Sequence, residues 1–88
     1  PDMQKYDTVL VGDTCEAQLK NQYKIETRHV KRLQKHIALC VEKKDFGSKE
    51  ILDDILKDTE ESCDWLETQF QRIKDVGIEN YLSEHMHE

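Results

Sequence analysis

The stretch Lys57–Glu67, KDTEESCDWLE, contains no Gly or Pro and reads as part of one long amphipathic helix. Glu60 and Cys63 stand three residues apart in it, so they share a face one turn apart. Around it the seam positions Leu52, Leu56, Thr59, Cys63, Leu66, Phe70 and Ile73 step by four and three. That is the period of a helix packed in a bundle interior. The helix is predicted from about Ser48, or from Phe46, to Val76, with Gly77 as its C-terminal cap.

Upstream, Asp45-Phe46-Gly47-Ser48 breaks the pattern, and either Asp45 or Ser48 can cap the second helix. A first helix is predicted over about Thr14 to Lys44, opened by a capping box of Asp13 and Glu16. Its seam is Leu19, Tyr23, Glu26, Val30, Leu33, Ile37 and Cys40, again in steps of four and three. Arg28, Lys31, Arg32 and Lys35 fall off this seam onto an outer, solvated face. Residues 1–12 read as an extended lead-in, and a short helix over Glu79 to Glu84 is expected to pack through Tyr81 and Leu82. So short a loop makes the two long helices antiparallel neighbours. The expected fold is all-α: one domain over residues 1–88, a two-helix hairpin plus a short C-terminal helix. It amounts to half of a four-helix bundle, completed by a second copy or by further helices.

Composition agrees. Charged residues make up 36% of the 88 residues and there is one Pro, which suits long helices. The net charge of −6 disfavours nucleic acid, which calls for an excess of Lys and Arg, and is compatible with attracting cations. Cys15, Cys40 and Cys63 are odd in number and widely spaced, with no C-x-x-C, so neither a disulfide framework nor a zinc knuckle is expected. No apolar run reaches membrane-spanning length and no signal peptide is visible, which points to a reduced, cytoplasmic setting. The chain starts at Pro1 without an initiator Met, which favours a processed or truncated piece of a longer protein.

Three residues could carry chemistry. Glu26 puts a carboxylate among Tyr23, Val30 and Leu33; it is either paired across the hairpin at a loose edge or holds a metal ion. Glu60 belongs to an acidic helix in which most carboxylates are solvated. Cys63 fits as a small packing residue or as a thiolate ligand, which suits zinc and other soft metals better than an oxygen-handling iron site. A Glu-x-x-His pair on a bundle helix grips one side of a two-metal site, and here Cys63 stands where that spacing would put the His. His29 and His36 share one flank of the first helix, while His85 and His87 lie in the tail.

The run ILDDILKDTEESCDWLETQFQRIKDVGIENYLSEHM at residues 51–86 resembles the end of bacterioferritins, most specifically in DWLETQ followed by Gly and NYL. Residues 1–26, PDMQKYDTVLVGDTCEAQLKNQYKIE, resemble the loop and third helix of the same family. The resemblance covers essentially the whole chain and corresponds to the second half of a subunit. It implies a subunit of a hollow iron-storage shell, with ferroxidase activity at a di-iron site inside each four-helix bundle and haem between paired subunits. By that resemblance the metal ligands are Glu26 from the third helix and Glu60 and Cys63 from the fourth, Cys63 replacing the family's His and impairing the site. Asp64 and Glu67 match acidic channel positions, Trp65 a Trp near the site, and Asn80 a helix lining another channel. Met3 and Met86 do not match the family's haem-ligating Met, so no haem ligand is assigned. The implied partners are iron ions and either a second copy or a ferritin-like co-subunit; a non-catalytic structural subunit is the alternative reading.

Overall fold

The computed structural model describes the backbone of residues 2–86 and the side chains of residues 13–84. Its elements are α1 (Asp2–Glu42), α2 (Phe46–Val76) and α3 (Ile78–Met86). The molecule is a rod of 63 × 19 × 19 Å. Its radius of gyration is 18.2 Å, against about 12 Å for a compact domain of this length.

The predicted seams are the ones that meet. Leu33, Leu66 and Ile73 are buried, and the other residues of both seams are buried or half-buried. The buried apolar set ends with Tyr81 of α3, and among the described residues no large side chain is fully enclosed. That is what a two-layer hairpin can reach: each helix hides one stripe and leaves the rest outside.

The turn between α1 and α2 is built by three residues. Lys44 adopts a left-handed φ of 60°. Its N–H donates to the Val41 carbonyl at 3.1 Å, and the Asp45 N–H donates to that of Cys40 at 2.8 Å, the paired closure of a Schellman motif. The Asp45 side chain then accepts from the Ser48 N–H at 3.2 Å, opening α2. One residue thus ends one helix and starts the next. At the far end Gly77 takes a φ of 83°, and its N–H donates to the Ile73 carbonyl at 2.8 Å. Asn80 donates to the Val76 carbonyl at 2.8 Å, closing a further orphan acceptor of α2.

One local expectation fails. Residues 2–12 continue α1 instead of forming an extended lead-in. No Pro interrupts them, and Gly12 alone costs only about 1 kcal/mol in a helix interior. Asp13 and Glu16 are therefore helix-interior residues and not a cap.

α3 folds back onto the hairpin. The Tyr81 hydroxyl donates to Gln69 Oε1 at 2.7 Å, with both residues buried, and Arg72 pairs with Glu84. Gln69 is 4% exposed and was not singled out by the seam pattern; its burial follows from α3 covering that side of α2.

Candidate functional site

Glu26 is half-buried on the α1 seam, and Gln22 Nε2 donates to its Oε1 at 2.7 Å. It lines a shallow groove with Gln22, Ser62, Trp65 and Leu66. A second groove runs along the other side of the hairpin, lined by Thr27, Val30, Lys31, Gln34, Glu60, Cys63 and Asp64. The two grooves separate Glu26 from Glu60; Cys63 lines the Glu60 groove, yet Glu26 is the carboxylate whose charge acts most on its thiol. Among the described residues, no three His, Cys, Asp or Glu side chains are grouped closely enough to hold a metal ion.

The physical reason is helical phase. Glu60 lies one residue past buried Thr59, about 100° around the axis, and is exposed. Ser62, two positions further, comes round to the opposite flank and meets the Glu26 groove. Thr59 itself is 6% exposed, and its hydroxyl donates to the Ile55 carbonyl at 2.8 Å. On the Glu26 side, α2 therefore offers the hydroxyl of Ser62 and the indole of Trp65, with no carboxylate or imidazole among the lining residues. Spacing alone found the half-buried Glu26. It did not find Ser62, whose signal is its place on the opposite flank of the seam from Glu60.

Cys63 sits half-buried where it feels both sides. Burial pushes its thiol up first, followed by the negative charges of Glu26, Glu67, Asp64 and Glu60. Nearby, the Tyr23 hydroxyl donates to Glu67 Oε1 at 2.9 Å, which is the main cause of its raised pKa. Its ring packs edge-on against Phe70, with centroids 5.6 Å apart at 81°. His29 and His36 are exposed on α1. The side chains of Met3, His85, Met86 and His87 lie outside the described residues. No helix among the described residues is long and apolar enough to cross a membrane.

The described chain is a long all-α hairpin with a half-buried carboxylate in its seam. The family model of the ferritin-like domain matches residues 1–76, and the chain belongs to that family. Its relatives are more particular. A bacterial ferritin of Pseudomonas aeruginosa is 46% identical over 78 residues, covering 86% of this chain and 50% of that protein. A bacterial ferritin of Synechocystis is 34% identical over 87 residues, covering 98% of this chain and 56% of that one. A bacterioferritin of Mycobacterium bovis is 33% identical over 84 residues, covering 96% and 53%. The chain spans about half the length of the curated relatives it matches, and so corresponds to part of a bacterioferritin-family subunit.

Proposed function

We propose that this chain is part of an iron-storage subunit of the bacterioferritin kind, and that Glu26 is its main contribution to an iron site. The observation that carries this is a half-buried carboxylate in a seam of apolar residues, opening into a groove on a face the hairpin leaves bare. A carboxylate in that setting gains from a cation. Oxidation and sequestration of ferrous iron there needs further ligands besides the residues lining this groove. Glu60 and Cys63 enter as lesser contributors, because they line the opposite groove.

Ser62 lines the Glu26 groove and Cys63 does not, which supports reading Ser62 as the weak point of the site in place of Cys63. Introducing an imidazole beside Glu26 by Ser62→His should strengthen ferrous binding more than Cys63→His does. Calorimetric titration with ferrous iron under anaerobic conditions tests this, with Glu26→Gln and Glu60→Gln as the paired losses. Glu26→Gln is expected to weaken binding by roughly tenfold or more, and Glu60→Gln by less. The reverse order, or a stronger gain at Cys63, would return the site to the other groove.

A second reading has its own support. The absence of a carboxylate or imidazole from the α2 lining of the Glu26 groove favours a structural subunit that co-assembles with an active ferritin-like partner. Ferrous binding unchanged by Glu26→Gln would favour it.

A further inference from the structure

Glu26 does not stand alone on α1. Gln22, one turn before it, donates from Nε2 to its Oε1 at 2.7 Å, and both residues line the same groove. Among the described residues, Oε2 of Glu26 accepts no hydrogen bond. The two carboxylate oxygens are therefore unequal: Oε1 is committed to the amide, and Oε2 is left for a cation. Gln71 makes the same bond to Asp75 on α2 at 2.8 Å, but there both residues are exposed and line neither groove.

The bond matters because glutamate is long. Its torsions must all be fixed before the carboxylate can meet an ion in one geometry, and that ordering costs entropy. Gln22 fixes them beforehand, from the same helix. The charge of the donor matters as much as its reach. An amide is neutral, so it neither cancels the carboxylate nor repels a divalent cation. A lysine at this spacing does both: Lys49 pairs with Asp53 at 2.7 Å on α2, and Lys20 with Glu16 at 3.7 Å on α1.

We propose that Gln22 is a positioning residue for iron: it holds Glu26 so that a ferrous ion meets Oε2, and it leaves the carboxylate charge whole. The inference rests on the reading of Glu26 as an iron ligand. It is independent of what covers this face of the hairpin, because both residues belong to one turn of α1.

Anaerobic titration of the 88-residue chain with ferrous iron tests this, by calorimetry and by quenching of Trp65, the one tryptophan in the sequence and a residue of the same groove. Gln22→Leu should weaken binding by roughly tenfold or more. Its midpoint in urea should stay where it was, since leucine forms helix as well as glutamine does. Gln22→Lys should weaken binding at least as much, although a Lys–Glu pair at this spacing supports a helix. Gln71→Leu, which removes the matching bond to Asp75, should leave binding unchanged. Infrared difference spectra should show the widely split carboxylate bands of end-on binding in the parent, and a narrower splitting in Gln22→Leu as Oε1 becomes available. Parent-level binding in either Gln22 variant, with Glu26→Gln still weakened, would overturn the positioning role and leave the iron reading standing. An equal loss in Gln71→Leu would trace the effect to helix stability and overturn it too. No binding by the parent, or binding indifferent to Glu26→Gln, would remove the iron reading and this inference with it.

Discussion

At the scale of single residues, Lys44 and Asp45 show how much a three-residue turn depends on individual side chains. Lys44 occupies a left-handed conformation that glycine takes without a clash. Lys44→Gly should therefore raise stability by about 0.5–1 kcal/mol, read as a higher midpoint in urea unfolding. Asp45 has its carboxyl held below its usual pKa by the Ser48 hydrogen bonds. A depressed folded-state pKa stabilises above the unfolded value and is lost as pH falls through the folded one. Asp45→Ala should lower the melting temperature at neutral pH, with the gap to the parent closing as the pH drops below the ordinary 3.8. A gap that is constant down to acid pH would remove the carboxylate from the cap.

Gln69 and Tyr81 make the buried polar contact between α2 and α3. Tyr81→Phe leaves the Gln69 carbonyl without that donor and should cost about 1–3 kcal/mol, measured by chemical denaturation.

At the scale of the element, helix and seam were legible because both rest on local rules. Leu19 through Cys40 and Leu52 through Ile73 are spaced as bundle seams, and each of those residues is buried or half-buried. Gly77 and Asp45 carried the boundaries of α2 for the same reason: one supplies a positive φ, the other a cap acceptor. The start of α1 was not legible. Asp13 and Glu16 match a capping box, but a box is only a preference, and the uninterrupted chain before it continues as helix. The division of Glu26 from Glu60 was not legible either. Residues adjacent on a seam diagram can lie on opposite flanks once two helices are pressed together, and one step of helix is enough to change groove. Leu66, 3% exposed at the contact of α1 and α2, tests the packing of the element: Leu66→Ala should cost about 2–5 kcal/mol in urea unfolding. A smaller loss would mean the hairpin closes over the gap.

At the scale of the whole molecule, the rod has too little interior for its length. Four apolar side chains are buried among the described residues, while Ile25, Ile51, Trp65 and others stand exposed along one side. A long thin hairpin buries one stripe per helix, and a second layer of helices is the cheapest way to bury the next. Membership of the ferritin-like family and a length about half that of its relatives point to the same missing layer. In this view the bare face and Glu26 belong together: whatever covers the face also encloses the carboxylate, and a cation there becomes more favourable as water leaves.

Anomalous diffraction at the iron absorption edge, from crystals of the chain soaked in ferrous iron, tests this most directly. The account predicts an iron peak bonded to a Glu26 carboxylate oxygen in the groove shared with Ser62 and Trp65. A peak beside Glu60 and Cys63, or none at Glu26 in crystals shown by chemical assay to contain iron, would contradict it.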